Sequence, residues 1–530
     1  MSTWKLLDND TSVSDYEKIR LKNIKENSKF FASLGIFKAK EQLVGINGPK
    51  KITKPKPREK RKLLDQNQFG CFYNVNNPYL FISQCNREKK VVIPRKLTDE
   101  RKESCYTQEA VIEVRRQGPD GKPLPPKPVI RYIDEVTKRE ERKPTGPLQM
   151  LPTKLYESSK ENLPIQVSET LRDIVSNSPN YDSTKHTQSQ PALQTFCRAF
   201  AKMKIMPDRV AKVTRERVYS VAIHPSQDKV VVCAGDRGGR LGIWDVESQN
   251  KETSGIMLFE PHSSPINCLH FAPANPSKIL STSYDGTVRC GDLERGVFDE
   301  AYATTPGLDI YISHFDFLSP DGSQLIVAQN NGEGHVAIVD TRTRCGAESV
   351  HRLHDKSIRT VSVHPLKKNC IVTGSKDGTV ALWDTRSLKT KGKKNKSITT
   401  LNQGRGVTGA YFSPLTGRKL LTTSHNDTLK VYTFADNGAV FLKTTVRHNN
   451  FVGRWLTSFR AVWHPSREDV FISGSMERPR RIEVFDDKGV LLKNFMDEDC
   501  LGSVCSINAF HPTRNILVGG NSSGRLHVFM

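Results

Sequence analysis

Short runs in which apolar and polar residues alternate recur along the last three-fifths of this sequence, and each run ends in a proline turn. Alternation with a period of two is the pattern of a strand with one face buried. The turn prolines are Pro225, Pro273, Pro320, Pro365, Pro414, Pro465 and Pro512. Neighbouring positions differ by 48, 47, 45, 49, 51 and 47 residues. Seven copies at a near-constant spacing indicate a repeat architecture, in which each unit buries its apolar face against the next one.

The fourth copy shows the unit most clearly. Its first run, Ile358 to His364, is followed by a second run, Cys370 to Ser375. A Lys-Asp-Gly turn then leads into a third run, Thr379 to Asp384, which ends in Trp-Asp. Runs joined by such turns predict antiparallel strands. A unit of this length and ending resembles the WD repeat, so we predict an all-β, seven-bladed WD-repeat β-propeller over residues 208–530.

The fourth copy also contains the polar side chains with which WD blades tie their strands together. By resemblance, these side chains are His354, Thr373, Asp377 and Trp383. A His–Thr–Asp set is compatible with a hydrolase, but here a related set recurs in the second copy, where Gly291 replaces the tryptophan. We therefore interpret the set as a buried structural network and not as a nucleophile site.

The seventh copy provides three of the four strands that a blade needs. An open ring would leave an exposed sheet edge. The segment Arg209–Thr214, upstream of the first copy, is the candidate for the missing strand. The sequence therefore predicts that the ring closes by pairing this segment with the last strand of the chain.

The region before the propeller has a different pattern. Residues 1–48 have a capping-box signal and apolar residues at helical spacing, so we predict a helical segment. Residues 49–192 are predicted to form a basic, mostly disordered region, because residues 116–192 are rich in Pro, Lys, Glu, Ser and Gln. Residues 193–207 carry a further helix that leads into the propeller. The run KKITKPKPREKRK at positions 50–62 indicates a nuclear-import or nucleic-acid patch, with a solvated linker as the alternative.

Composition narrows the choice of partners. The net charge of +23 and a pI near 9.5 favour polyanions, because each cation that meets a phosphate releases condensed counterions. The eleven cysteines form no Cys-x-x-Cys pair and no cluster at zinc spacing. We therefore expect reduced thiols, no metal and no cofactor. No apolar stretch approaches membrane-spanning length, so we expect a nuclear protein, with some in the cytoplasm, and no membrane partner.

Several motifs resemble one family more specifically. They include SYDGTVRCGD at 283–292, RHNNFVGRWL at 447–456, HPTR at 511–514, GGNSSG at 519–524 and RLKNIKENSKFFASL at 20–34. Together they resemble the family of WD repeat-containing protein 76 and its fungal DNA-damage-associated relatives. The propeller also resembles, more distantly, the small subunit of the damaged-DNA-binding protein. The resemblance covers the propeller and the first helix, but not residues 64–190.

The resemblance implies binding to DNA or chromatin. In the distant relative, one propeller face holds the duplex and a hairpin inserts an aromatic side chain into the damaged step. The matching stretch here is 450–456, in which the tip of the hairpin differs, so recognition of a lesion is not implied. The candidate DNA-binding residues are Phe451, Arg454, Trp455, Arg478, Arg480 and Arg481. The alternative interpretation is that the aromatics cover the blade edge and the arginines are solvated.

The resemblance also implies a role as substrate receptor of a cullin-based ubiquitin ligase. Such receptors often carry an arginine two residues after the terminal Asp of successive WD repeats. Arg342 and Arg386 occupy this position in the third and fourth copies. The implied partner is the ligase adaptor, the large subunit of the damaged-DNA-binding protein. A local salt bridge is the alternative role for these arginines.

The sequence contains no phosphate-binding loop, no paired metal ligands and no isolated nucleophile–base pair. We therefore expect a non-enzymatic protein that binds DNA or chromatin, is linked to the DNA damage response and also serves as a ligase receptor. A general protein-interaction scaffold, with other nuclear proteins as partners and no direct DNA binding, is the alternative.

Overall fold

The computed structural model describes residues 110–117, 123–131, 141–153, 171, 192–248, 254–306, 308–343, 346–390, 394–435, 438–453 and 455–530. All of them belong to one compact unit, Lys90–Met530. The helices predicted in residues 1–48 and the basic run at 50–62 lie outside the described residues. Within the described part of the chain, no helix is long and apolar enough to cross a membrane.

The propeller consists of seven antiparallel sheets, six of four strands and one of five, which confirms the predicted fold class. Blade 1 contains β5 (Val218–Ile223), β6 (Val231–Asp236), β7 (Leu241–Asp245) and β8 (Ile256–Phe259). Blade 2 contains β9 (Ile266–Phe271), β10 (Lys278–Ser283), β11 (Thr287–Asp292) and β12 (Val297–Ala303). Blade 3 contains β13 (Tyr311–Phe317), β14 (Gln324–Asn330), β15 (Gly334–Asp340) and β16 (Ala347–His354).

The remaining blades repeat this order. Blade 4 contains β17 (Ile358–Val363), β18 (Cys370–Ser375), β19 (Thr379–Asp384) and β20 (Thr399–Asn402), with a 3-10 turn at Thr385–Ser387. Blade 5 contains β21 (Val407–Phe412), β22 (Lys419–Ser424), β23 (Thr428–Phe434) and β24 (Val440–Arg447). Blade 6 contains β25 (Val462–Trp463), β26 (Val470–Gly474), β27 (Ile482–Asp486) and β28 (Leu491–Phe495). Blade 7 contains β29 (Cys505–Phe510), β30 (Leu517–Asn521) and β31 (Arg525–Phe529).

Strand direction gives the ring two faces. Because neighbouring strands are antiparallel, the turns between second and third strands lie at the same end as the loops that lead to the next blade. We name this end the upper face. The turns between first and second strands, which hold the seven prolines, and those between third and fourth strands lie on the opposite, lower face. Any turn residue can therefore be assigned to a face from its place in the blade.

The ring closes as predicted. The strand β4, Val210–Lys212, pairs antiparallel with β31 as the fourth strand of blade 7. In the register of this pair, Ala211 is opposite Leu526, which is fully buried. The backbone of Met530 also exchanges two hydrogen bonds of 3.1 Å with Lys204. The final strand is therefore part of the closure of the ring.

Each blade buries its apolar side chains against the next blade. One cluster joins blades 2 and 3 through Leu280, Phe315 and Leu325, all almost completely buried. Second strands, such as β6, are buried along their whole length, whereas the outer strand β16 alternates between buried and partly exposed positions. The period of two is therefore clearest at the outer strands, because inner strands have packed neighbours on both faces.

A helix leads into the propeller. Helix α1, Leu193–Lys202, buries Phe196 and Phe200, and a 3-10 turn at Pro207–Arg209 follows it. The ring of Phe200 contacts Phe495 of blade 6 and Phe510 of blade 7, at centroid distances of 5.6 and 5.7 Å. The ammonium of Lys493 donates a 2.6 Å hydrogen bond to the carbonyl of Phe200, at the end of the helix. The helix thus covers the junction of two blades.

The structure also has strands in residues 49–192, for which the sequence predicted mostly disorder. The strands β1 (Ala110–Gln117) and β2 (Pro123–Arg131) form an antiparallel hairpin. Strand β3, Leu148–Gln149, adds a fifth strand to blade 2 by pairing with β12. The fully buried Arg289 donates to the carbonyl of Pro144 at 2.8 Å. A strand of two residues has no periodicity, so the sequence pattern gave no signal for β3.

The polar set of blade 4 forms the predicted network. Nδ1 of His354 lies 2.9 Å from Asp377, and its Nε2 lies 2.7 Å from the hydroxyl of Thr373. The indole N–H of Trp383 donates to the same hydroxyl at 2.8 Å. Each polar atom therefore has a partner, as expected for a buried network. These side chains connect strands within the blade.

Candidate nucleic-acid interface

Between blades 5 and 6 the chain forms a loop on the upper face, residues 448–456, which we name the aromatic loop. Its base is fixed by Asn450, which is almost completely buried. The amide N–H of Asn450 donates to Asp427 at 2.9 Å, and its side chain donates to the carbonyl of Ser424 at 2.9 Å. Its side-chain oxygen also lies 2.7 Å from Nδ1 of His448. These contacts hold the start of the loop on blade 5.

The tip of the aromatic loop presents two large side chains to solvent. Phe451 is 78% exposed and Trp455 is 83% exposed. Between them, Gly453 has a φ of +62°, a left-handed conformation that favours glycine over residues with a Cβ. The alternative that these aromatics cover the blade edge does not fit this exposure. Arg454, the third residue proposed for this tip, lies outside the described residues.

The chain that follows the tip crosses the upper end of the ring. The hydroxyl of Thr457 donates to the carbonyl of Val218 in blade 1 at 2.6 Å. The guanidinium of Arg460 donates to the carbonyl of Asn267 in blade 2 at 3.2 Å. The carbonyl of Phe459 accepts a 2.7 Å hydrogen bond from the side chain of Thr408 in blade 5. The segment that follows the aromatic loop is therefore anchored to several blades.

The turn at 475–481, which we name the arginine turn, joins the second and third strands of blade 6 and lies on the same face. Its Met476 packs against a small apolar cluster that contains Val452 and Phe459. The structure thus brings the aromatic loop and the arginine turn together, although residues 457–474 separate the two in sequence. This proximity supports treating the two motifs as one surface.

The three arginines of this turn differ in their surroundings. Arg478 is exposed. Arg480 is half-buried, and its guanidinium donates to the carbonyl of Met476. Nε of Arg481 donates to the carboxylate of Glu483 at 2.9 Å. The charge of Arg481 is therefore compensated within the blade, which leaves Arg478 and Arg480 as the cations of the turn most available to a ligand.

The upper face carries further cations that the sequence analysis did not select. Arg359 begins blade 4, Lys376 lies in its Lys-Asp-Gly turn, and Arg405 lies in the loop that leads to blade 5. Burial, and next the nearby charge of Arg359, lower the pKa of Lys376. Burial also lowers the pKa of His425 on the neighbouring turn, and the charge of Arg359 adds to this effect. These shifts indicate that positive groups lie close together here.

A signal for these cations was present in the sequence. Lys376 and Arg405 belong to a turn and a loop whose places in the repeat fix them to the upper face, and Arg359 is the second residue of the strand β17, which begins at that face. Listing the basic residues at these places would have selected all three. Their places in the repeat give the face but no distance to the arginine turn.

The arginines proposed for adaptor binding lie on the lower face, after the third strands of blades 3 and 4. The side chain of Arg342 is 68% exposed and that of Arg386 is 71% exposed. Each guanidinium makes two hydrogen bonds to the Asp two residues earlier, with NH2-to-carboxylate distances of 2.6 and 2.7 Å. These bonds and the charge of the arginine lower the pKa of Asp340 and of Asp384.

Both arginines thus form the local salt bridge that was the alternative to adaptor binding. The guanidinium groups nevertheless remain exposed. The two matching contacts orient equivalent arginines on neighbouring blades, and a groove of about 660 Å³ between blades 2 and 3 is lined by Arg342. The DNA candidates and the adaptor candidates therefore lie on opposite faces of the ring. Occupation of one face leaves the other accessible.

Comparison with known proteins places the chain in a family. The family model "WD domain, G-beta repeat" matches residues 254–292 and 347–384. The chain is 40% identical over 527 residues to WD repeat-containing protein 76 of Xenopus laevis, covering 98% of this chain and 80% of the relative. It is 36% identical over 529 residues to the Mus musculus protein of the same name, covering 99% and 75%.

A more distant group matches mainly over the propeller. The DNA damage-binding protein CMR1 of Chaetomium globosum is 29% identical over 347 residues, which covers 60% of this chain and 65% of the relative. This group agrees with the fungal relatives expected from the motifs. On the identity and coverage of the first relatives, the chain belongs to the family of WD repeat-containing protein 76.

Proposed function

We propose that this propeller binds DNA on its upper face and acts in the nucleus as a non-enzymatic, chromatin-associated protein linked to the DNA damage response. The observation that carries this proposal is the aromatic loop. It holds Phe451 and Trp455 more than three-quarters exposed on a base that is buried and hydrogen-bonded. Large aromatics exposed on a rigid support are typical of a binding surface, because their apolar area gains contacts only when a ligand covers it.

Aromatic side chains can bind DNA by stacking on bases or by wedging between them. Stacking contributes about 1–3 kcal/mol for each base, since every base has a π-face. Because the loop is hydrogen-bonded at its base and the segment after it is anchored, we expect little conformational entropy to be lost when the tip binds. The arrangement therefore suits a nucleic acid whose bases are accessible, such as a single strand, a bubble or a distorted duplex.

Cations on the same face as the tip supply the electrostatic component of binding. Arg359, Lys376 and Arg405 lie on the upper face of blades 4 and 5, and Arg478 and Arg480 lie on that of blade 6. Such a set attracts phosphates and orients the strand without reading its sequence. The formal net charge of +23 acts in the same direction over longer distances.

The names of the relatives support the DNA damage link. The CMR1 proteins are named as binding damaged DNA, and their similarity to this chain covers about three-fifths of it. The proposal extends that property to this chain, with the upper face as the contact surface.

The electrostatic part is tested by charge reversal on one face at a time. Lys376→Glu with Arg405→Glu alters the upper face, and Lys367→Glu with Lys368→Glu alters the lower face by the same net charge. We expect the slope of log affinity against log salt to fall in magnitude by about 0.9 for each lost phosphate contact in the first variant alone. An equal change of this slope in the two variants would indicate non-specific attraction. An affinity of the unaltered protein that does not depend on salt would favour the scaffold alternative.

We further propose that the lower face contacts an acidic surface of a cullin-ligase adaptor. The supporting observation is that Arg342 and Arg386 are exposed, oriented by matching contacts and located on neighbouring blades. A guanidinium held in this way can exchange its intramolecular carboxylate for one on a partner, with its fork already formed. Because the DNA candidates occupy the other face, the proposal permits one molecule to hold DNA and the adaptor together.

This second role is tested by co-purification with the large subunit of the damaged-DNA-binding protein. Replacing Arg342 and Arg386 by Ala should abolish recovery of the adaptor, whereas replacing Lys367 and Lys368 by Ala should leave it unchanged. Full recovery with the double arginine variant would remove the basis for this role. DNA affinity should be the same in both variants, so failure of one proposal is distinguishable from failure of the other.

A further inference from the structure

A group of potential metal ligands lies at the junction of blades 2 and 3. Cys268 and His270 are two residues apart on β9 and therefore point to the same side of the strand. His314 is contributed by β13, the innermost strand of the next blade. The thiol sulfur and one ring nitrogen from each histidine all lie within 4.8 Å of one another. Three ligands from two blades thus converge on one point.

The surroundings of the histidines suit metal binding. The ring of His270 packs edge-on against that of His314, at a centroid distance of 6.2 Å, and His314 is almost completely buried. Nδ1 of His314 is buried and has no hydrogen-bond partner among the described residues. A buried polar atom without a partner is uncommon in folded proteins and is explained if it binds an ion.

The thiol of Cys268 is the third donor of the group. It is buried and donates to the carbonyl of Phe315 at 3.9 Å. A metal ion displaces the thiol proton on binding, because thiolate is the form that coordinates. One thiolate and two imidazoles form a donor set that favours zinc over calcium or magnesium.

One of the three side chains also borders a cavity. A cavity of about 380 Å³ at the lower end of the central channel of the ring, which we name the channel cavity, is lined by His270, together with Leu269 and the turn prolines of several blades. Cys268 and His314 do not line it, so an ion from this cavity would have to pass His270, and water would take the fourth position. Three protein ligands with one open position are the arrangement of catalytic zinc sites.

We propose that Cys268, His270 and His314 form a zinc site that joins blades 2 and 3, with the fourth position facing the channel cavity. Tetrahedral zinc with bonds of about 2.0–2.3 Å needs donor atoms roughly 3.3–3.6 Å apart. The observed limit of 4.8 Å therefore requires side-chain shifts on the order of 1 Å. Cys268 and His270 are neighbours on one strand, but His314 follows only in the next blade, so the sequence contains no zinc motif and predicted no metal. The site lies apart from both proposed binding faces and depends on neither of them.

The test uses the full chain, stripped of metal and titrated with Zn²⁺ alone and with Co²⁺ as a spectroscopic probe. We expect one equivalent of zinc to be retained after desalting, and Co²⁺ to show a thiolate charge-transfer band with tetrahedral d–d absorption. Zinc should also raise the thermal midpoint, because an ion that binds only the folded state stabilises it. Absence of the charge-transfer band in the unaltered chain would overturn the proposal without reference to any variant.

Substitutions locate the site. Cys268→Ser and His314→Gln should each abolish the charge-transfer band and the zinc-dependent rise in the thermal midpoint. Cys505→Ser is the matched control, since Cys505 is equally buried in blade 7 and belongs to no such group. Equal zinc retention in Cys268→Ser, His314→Gln and the unaltered chain would show an adventitious ion only. Loss of the band in Cys505→Ser would place the site elsewhere.

Discussion

Replacing Thr373 by Val isolates the contribution of the blade 4 network to stability. Valine preserves the shape of the side chain but removes a hydroxyl that is fully buried. That hydroxyl accepts from the indole of Trp383 at 2.8 Å and bonds to Nε2 of His354 at 2.7 Å. Both partners are buried and lose this bond in the variant. At about 1–3 kcal/mol for each unsatisfied group, the expected loss is roughly 2–6 kcal/mol.

The chain supplies a matched control at the equivalent position of blade 5. Thr422 is equally buried, but its hydroxyl makes one long hydrogen bond of 3.4 Å, to the carbonyl of Lys430. Thr422→Val leaves no side-chain donor without a partner, so it should cost less than about 1 kcal/mol. The two variants therefore differ in the hydrogen bonds that the removed hydroxyl made, and not in the volume or burial of the side chain.

The assay is thermal unfolding at one heating rate, which compares midpoints without requiring a two-state fit. At roughly 2 °C for each kcal/mol in a domain of this size, Thr373→Val should lower the midpoint by roughly 4–12 °C. Thr422→Val should lower it by roughly 2 °C or less. Equal shifts for the two variants would refute the reasoning, because the network would then contribute nothing beyond an ordinary hydrogen bond.

Three further predictions concern the scaffold. Deleting Leu526–Met530 removes the partner of Val210–Lys212, so limited proteolysis should cut the propeller rapidly; unchanged resistance would contradict closure by β4. Phe200→Ala should cost about 3–5 kcal/mol and increase amide exchange in α1, since the ring is buried between two blades. Burial lowers the pKa of His527 from its ordinary value of 6.5 to about 4. Between these two values the unfolded chain binds the proton and the folded chain does not, so the free energy of unfolding falls as the pH falls from 6.5 to 4. His527→Gln should therefore flatten the decline in the free energy of unfolding, measured by urea denaturation, by about 1.4 kcal/mol for each pH unit, and an unchanged slope would contradict this assignment.

Much of the scaffold could be predicted because its signals are local and repeated. The turn prolines gave the number of blades, and the rule against an open sheet edge gave the closing strand at Val210–Lys212. The blade 4 network followed from four residues at fixed places in a repeat. Such features depend on residues close together within one blade or on the number of strands. Both can be determined from the sequence.

Features formed by contacts between distant segments could not be predicted. Strand β3 is too short for a pattern, and the compensation of Arg481 by Glu483 requires knowledge of which side chains meet. The proximity of the aromatic loop to the arginine turn depends on Met476 packing beside Val452. A function that depends on a surface therefore cannot be predicted without the ring geometry. This holds even where the sequence predicts the individual residues.

The central claim is that the exposed aromatics on the upper face bind nucleic acid, and Trp455→Ala tests it most directly. Leu366→Ala is the control, because this leucine is 70% exposed on the lower face. Measured by fluorescence anisotropy on a DNA bubble at fixed salt, Trp455→Ala should lower affinity roughly 5- to 150-fold, which corresponds to about 1–3 kcal/mol. Its thermal midpoint and the salt dependence of its affinity should stay the same, and Leu366→Ala should bind as the unaltered protein does. Unchanged affinity in Trp455→Ala, or an equal loss in both variants, would contradict the claim.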